Sequence, residues 1–269
     1  MSKNIAFFGD SFVGDYAGWI KEFCTENNYR CIHLGKPGSD NIYPFEKWKK
    51  FNETHNQHVD VCVYAHTECF RIYNRHSQVG INFLTAFDDV SSEWVSNGYV
   101  SKDYLNAVRD YFKFVLDTND ADMRSILIPL GIDRYMNEYN KVFEKIIHIW
   151  SFAPNRIYPE NNNGSMTVAC ESTWHITNML SGANIILDLS NLAAVDPDIN
   201  IVNGRCQRPL HFSSTVSPFV SEIIKTAVLY YKKDLVIDFR PYVDQNSVYN
   251  DYLNALKKIK QGLEINEKV

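Results

Sequence analysis

Apolar and polar positions alternate along the chain with two different periods. Ile5-Ala6-Phe7-Phe8 is a short apolar run closed by Gly9-Asp10-Ser11. A run that short, with no polar face, predicts a strand buried on both sides that ends in a tight turn. Over residues 16–26, Trp19, Ile20 and Phe23 recur at helical spacing, and Asn27-Asn28 stops the pattern. Cys31 to Leu34 predicts a second strand, followed by the loop Gly35-Lys36-Pro37-Gly38-Ser39-Asp40-Asn41. Val59 to Ala65 predicts a third, with His66-Thr67-Glu68 at its end. Residues 70–100 show no clear period and read as loops with at most short helices. Ser101 is an N-cap for a helix to about Asp117, with Leu105, Val108, Phe112, Val115 and Leu116 on one face.

Ser125 to Leu130 predicts a fourth strand, stopped by Pro129 and Gly131, and residues 134–150 a further helix. Pro154, Pro159 and Asn161-Asn162-Asn163-Gly164 mark a long irregular excursion. Ile185 to Leu189 predicts the fifth strand, and a loop rich in Asp, Asn and Pro runs on to His211. Val216, Val220, Ile223, Ile224 and Val228 are in register for a helix over 215–231. Tyr249, Leu253, Leu256 and Ile259 suggest a last amphipathic helix over 246–263.

Strands alternating with helices imply right-handed crossovers and a parallel sheet covered on both faces. The expected fold is therefore α/β, with five parallel strands between helical layers. Sites in such sheets lie at the C-terminal strand ends, so the loops after the first three strands are the place to look. Nothing in the charge pattern divides the chain. One domain over 1–232 is expected, with an insertion at about 151–184 and a C-terminal extension over 233–269 that docks on the same chain or on a neighbouring copy.

Apolar residues make up 45% and charged residues 22% of the 269 positions, which excludes a disordered or collagen-like chain. A chain of this length can bury its core without disulfide or metal staples. The net charge of −5 argues against a general nucleic-acid binder. The six cysteines form no CxxC pair, and Cys31 and Cys62 lie in apolar runs, so buried thiols are expected rather than bridges. The first apolar stretch is too short for a secretion signal, and no run has the ~18 apolar residues of a membrane span. These features predict a soluble protein made in a cytoplasm, there or in an assembly, with no membrane and no nucleic-acid partner.

Gly9-Asp10-Ser11 is the most informative triplet. A serine just past a buried strand can present its hydroxyl at the mouth of the sheet, where a histidine base could activate it. The same three residues are also ordinary turn chemistry. Gly38 in the second loop lets a backbone N–H come close to a ligand, as an oxyanion hole requires. His211, in a loop ahead of a helix, is placed to serve as a base.

This order of residues resembles the SGNH (GDSL-type) hydrolase family. Gly9-Asp10-Ser11 is similar to its first block, Gly38-Ser39-Asp40-Asn41 to its second, and His211 with the helix of 215–231 to its last; Ile186-Leu187-Asp188-Leu189 is similar to the strand that precedes that last block. The resemblance spans residues 4–231. It implies a flavodoxin-like three-layer α/β/α sandwich and hydrolysis of esters, often acyl groups on sugars or lipids. Carried over, Ser11 is the nucleophile and His211 the general base, with the backbone N–H groups of Ser11 and Gly38 as oxyanion donors. Asp10, Asn41, His66, Glu68 and Asn203 are site neighbours.

Two positions depart from the pattern. Glu68 stands where the third block has an asparagine donor; it is protonated, or points elsewhere, or the site stabilises no oxyanion. His66 or Thr67 is a substitute donor, and Arg71 a partner that would make Glu68 structural. Arg208 stands where the family has the aspartate that orients the histidine. Asn203-Gly204 upstream reads as a displaced remnant of the usual Asp-Gly.

The expected function is a serine esterase removing an O-acetyl or short acyl group from a carbohydrate through an acyl-enzyme, with an acylated small molecule or glycan as partner. The rival is a catalytically degenerate SGNH-like module that binds glycans or builds a larger assembly such as a virus particle. No metal spacing and no nucleotide fingerprint occur, so no cofactor is expected. His33 reads as a core histidine, and His148, beside a tryptophan, as a packing or surface residue.

Overall fold

The β1 strand (Lys3–Phe8) lies second from one edge of a six-stranded sheet, and the chain builds outward from it. The structure is a computed structural model. It describes residues 3–10, 13–14, 18–67, 71–74, 79–81, 86–87, 89–116, 118–150, 155–160, 165–170, 185–188, 201–202, 205–206, 220–222, 224–225, 228 and 236–238. After β1 come α1 (Gly18–Glu26), β2 (Tyr29–His33), α2 (Ile42–Thr54) and β3 (Val59–His66). Then follow β4 (Ile72–Asn74), β5 (Val79–Ile81), α3 (Asp89–Ser96), α4 (Lys102–Phe114), α5 (Thr118–Tyr139) and β6 (Phe143–Trp150). The remaining strands are β7 (Asn155–Glu160), β8 (Ser165–Cys170), β9 (Ile185–Asp188), β10 (Ile201–Val202), β11 (Arg205–Cys206) and β12 (Val236–Asp238).

The sheet runs β12-β9-β6-β3-β1-β2, and every neighbouring pair is parallel. From β1 the chain steps to the β2 edge, then returns past β1 to β3 and continues to the opposite edge. That reversal puts the topological switch point between β1 and β3. Loops diverge there and leave a crevice at the C-terminal strand ends.

Ile5 to Phe8 and Val61 to Ala65 are almost wholly buried, as strands covered on both faces must be. On one face Ala6, Phe8, Cys62, Tyr64 and Ile146 pack on Trp48 of α2 and Ile132 and Met136 of α5. On the other, Phe7 meets Trp19 of α1 edge-on, with ring centroids 5.8 Å apart. Lys145 alternates onto this second face and donates to the carbonyl of Val228 at 2.8 Å. Residues 220–222, 224, 225 and 228 there are helical, inside the helix read for 215–231. Helices therefore cover both faces, and the fold is the expected α/β/α sandwich.

The strand count is corrected from five to six. Ser125 to Leu130 is not a strand but lies inside α5, with Pro129 in the helix interior. A short apolar run cannot by itself distinguish a buried helical turn from a strand. The helix expected over 134–150 is also corrected: α5 ends at Tyr139 and β6 begins at Phe143. Asn140 makes the break. Its side chain accepts from the amides of Val142 and Phe143 at 3.3 and 3.0 Å and donates to the Phe143 carbonyl at 2.7 Å, an Asx-type turn.

Residues 70–100, read as loops with at most short helices, hold the short α3 and also the antiparallel β4–β5 pair, and the 151–184 excursion holds the antiparallel β7–β8 pair. The α2 helix and β12 had no counterpart in the pattern. β12 comes from the stretch assigned to the C-terminal extension and forms the outer edge of the main sheet. Cys62 is buried as expected, but Cys31 is exposed, because β2 is an edge strand. The Ser101 cap is as read: its hydroxyl accepts from the Tyr104 amide at 3.1 Å. The helix of 246–263 lies outside the described residues. No helix among the described residues is long and apolar enough to cross a membrane.

Candidate functional site at the β1–β3 switch point

Gly9 continues β1 into its turn at φ +154°, a conformation that L side chains rarely adopt. A Cβ there would stand 2.8 Å from the Ala65 Cβ and 2.9 Å from the Ala65 carbonyl oxygen on the neighbouring strand. Only glycine lets the turn leave the sheet this close to β3. The Gly9 carbonyl accepts from the Lys36 amide at 2.9 Å and the Ser39 hydroxyl at 3.4 Å. The turn after β1 and the loop after β2 are thus joined directly.

Asp10 is fully buried. Its Oδ2 accepts from the Thr67 hydroxyl at 2.9 Å and lies 3.7 Å from Nη1 of Arg71. The same Nη1 donates to the Ser39 carbonyl at 2.8 Å. Arg71 therefore neutralises Asp10 and bridges two loops; Glu68, the partner expected for it, lies outside the described residues. Asp10 anchors the turn rather than offering a base. The Thr67 hydroxyl proton is committed to Asp10, which removes Thr67 as the substitute oxyanion donor.

Asn41 clamps the end of β3. Its Oδ1 accepts from the Thr67 amide at 2.9 Å and its Nδ2 donates to the Thr67 carbonyl at 2.7 Å. Both sides of the amide are used, so Asn41, expected as a site neighbour, holds the end of β3 in place. The Tyr64 hydroxyl donates to the Asn41 carbonyl at 3.0 Å from below. Next to it, one Asp40 oxygen accepts from the amides of Ile42 and Tyr43, each at 3.0 Å, and so caps α2. The Asp40 carboxyl lies above its ordinary value: burial raises it, and those two amides and Arg71 offset only part of the rise.

Gly38 adopts φ +75°, and a Cβ on it would meet nothing within 4 Å. Its carbonyl accepts from the Gly80 amide at 2.7 Å, which ties the β4–β5 pair to the same rim. His66 sits one residue before Thr67, 2% exposed, with Nε2 at 2.8 Å from Nδ1 of His148. It is drawn toward the interior between β3 and β6. Ser11, Glu68, Asn203, Arg208 and His211 lie outside the described residues.

The structure thus unites Asp10, Gly38 and Asn41 with Thr67 and Arg71. The sequence pattern missed the roles of those last two, since their partners are 26 or more residues away. Elsewhere, His58, Asp60 and Glu144 bring metal-ligating atoms within 4.8 Å of one another. They lie at the N-terminal ends of β3 and β6, away from the crevice. His58 and Glu144 are exposed 3.5 Å apart, and Asp60 already accepts from the Asn4 amide at 2.7 Å, the arrangement of an ordinary surface pair.

No family model matches the chain, and no curated protein matches it. Solved structures do. A lipase/acylhydrolase from Enterococcus faecalis is 12% identical, over 86% of this chain and 97% of that one, with a TM-score of 0.44. An acetyl xylan esterase is 15% identical, over 84% and 99%, at 0.43. A GDSL-like lipase from Bacteroides thetaiotaomicron is 13% identical, over 84% and 88%, at 0.40.

Proposed function

We propose that this protein is a serine esterase that removes an O-acetyl or other short acyl group from a carbohydrate. Ser11 attacks the ester carbonyl as His211 takes its proton, the alcohol leaves, and water then releases the acyl group with the same histidine as base. The backbone N–H groups of Ser11 and Gly38 receive the developing oxyanion. No metal or cofactor takes part.

One observation carries this. The residue just before Ser11 and the loop that bears Gly38 form a single hydrogen-bonded unit at the switch-point crevice, through Lys36 and Ser39 on the Gly9 carbonyl and Arg71 between Ser39 and Asp10. The two motifs that resemble the family's first and second blocks are therefore neighbours in space, at the edge of the sheet where ligands bind.

The test is turnover of a chromogenic acetyl ester and labelling by a fluorophosphonate probe. The parent protein hydrolyses the ester and is labelled at Ser11, and Ser11→Ala stays folded and loses both. Unchanged turnover in the Ser11→Ala protein, or a parent that neither turns over nor labels, overturns the assignment. The second of those outcomes leaves the binding module as the better account.

A further inference from the structure

Cys24 and Cys31 come together where α1 turns back into β2. The Asn27 amide and the Asn27 Nδ2 both donate to the Phe23 carbonyl, at 3.1 and 2.9 Å, and Asn28 follows at φ +55°. The helix stops there and the chain reverses at once. In β2, Tyr29, Cys31 and His33 share one face, because strand residues alternate. That face lies under α1: Phe23 stacks on Tyr29 with centroids 5.5 Å and planes 21° apart. Cys24 is the next residue of α1, one turn beyond Ile20, and the two are 7% and 1% exposed. Cys31 is exposed on the edge strand, and neither cysteine is in a disulfide. The two thiols are in hydrogen-bond contact. That contact, then burial, then the charge of a Cys31 thiolate push the Cys24 thiol up.

The two sulfurs are unequal partners. Thiol–disulfide exchange needs an attacking thiolate that a reagent can reach, and Cys31 is exposed where Cys24 is covered. Cys24 lies against the sulfur that a reagent would occupy first. Sulfurs already in contact approach bonding distance by side-chain rotation, with no movement of the backbone. Cys62 is no competitor: it is buried on the opposite face of the sheet, under α2 and α5.

We propose that Cys24 and Cys31 form a redox modification site, where Cys31 attacks a small-molecule disulfide and Cys24 resolves the adduct into an intramolecular bridge. In the first step Cys31 Sγ bonds one sulfur of the reagent and the reagent's S–S bond breaks. The other half leaves as a thiol with the proton that Cys31 lost. In the second step Cys24 gives up its proton and its sulfur bonds Cys31 Sγ. The remaining half leaves as a second thiol with that proton. Two protein thiols are oxidised to one disulfide, and one small disulfide is reduced to two thiols. The bridge ties α1 to β2, whose C-terminal end runs on into the loop that bears Gly38. The site does not depend on the esterase assignment.

The full chain, equilibrated natively in buffers of oxidised and reduced glutathione, quenched with acid and mapped by peptide mass spectrometry, tests this. The expected product is the Cys24–Cys31 bridge, with the intact mass lowered by two hydrogens. Cys24→Ser should stop at a stable glutathione adduct on Cys31, and Cys31→Ser should leave Cys24 unmodified. The bridge should be about 10–100-fold more favoured in the native protein than in the urea-unfolded chain, since it stabilises the fold by the same factor. A parent that stays reduced, an adduct on Cys31 that never resolves, or a bridge to another cysteine overturns the proposal. So does modification of Cys24 ahead of Cys31, or a bridge no more favoured natively than in urea. If a serine variant does not fold, the parent's peptide map and its native-to-urea ratio decide alone.

Discussion

Replacing Asn41 by alanine strips the β3 end of its clamp. The Thr67 amide and carbonyl each lose a partner, in a place where Asn41 is 3% and Thr67 4% exposed. A buried polar group left unpaired costs about 1–3 kcal/mol, so two cost about 2–6 kcal/mol. Water entering the vacated volume recovers part of this, and the net loss expected is about 2–4 kcal/mol. The Tyr64 bond survives, because it is made to the Asn41 backbone. Urea unfolding reads the loss as a lower midpoint at unchanged slope. Asn41→Asp serves as the internal control. Its carboxylate still accepts from the Thr67 amide but repels the Thr67 carbonyl at pH 7, and once protonated it can donate there again. Its deficit should shrink on acidification, relative to the parent at each pH, whereas that of Asn41→Ala should not. An alanine variant within about 0.5 kcal/mol of the parent would show that the amide clamps nothing.

Two glycines should respond oppositely to the same change. Gly9→Ala drives a Cβ into the Ala65 backbone at a φ that side chains avoid, and should cost about 2–4 kcal/mol by thermal or urea unfolding. Gly38→Ala meets open space and should cost only about 1 kcal/mol of backbone strain; equal losses at the two sites would contradict the packing described. The pH dependence of stability follows from His66. Its folded value lies well below the unfolded one of about 6.5, so below that pH the unfolded chain binds a proton that the folded imidazole does not. Stability is full above pH 6.5 and falls on acidification by up to about 1.4 kcal/mol per pH unit, until the folded value is reached. Urea midpoints from pH 7.5 to 5 should show the slope, and His66→Gln, which does not titrate, should flatten it.

Local physics along the chain settled the strands, the caps and the turns. Continuous apolar runs at Ile5–Phe8 and Val61–Ala65 have no polar face to give to water, so they had to be central strands. Ser101 could cap a helix because its hydroxyl reaches an amide three residues on. Gly9-Asp10 had to turn. Alternation of such elements was enough to imply a parallel sheet with its site at the C-terminal edge. Where a run was short the same physics was ambiguous: Ile126-Leu127-Ile128 fits a strand or a buried helical face equally well, and the Asx turn at Asn140 was a signal present but unread.

Tertiary structure alone decided the pairings. Thr67 meets Asp10 and Asn52 meets the Tyr139 carbonyl across 57 and 87 positions of chain. His66 finds His148 across 82 positions, only because β3 and β6 are hydrogen-bonded in one register. A shift of that register by one residue would leave the two imidazoles on opposite faces of the sheet. Periodicity records which side of an element is apolar; it carries no information about which polar group waits on the strand next door. For that reason the fold was largely legible in the chain, whereas the Asp10–Thr67–Arg71 anchor and the buried His66–His148 contact were set by the sheet order and by the helices that close over it.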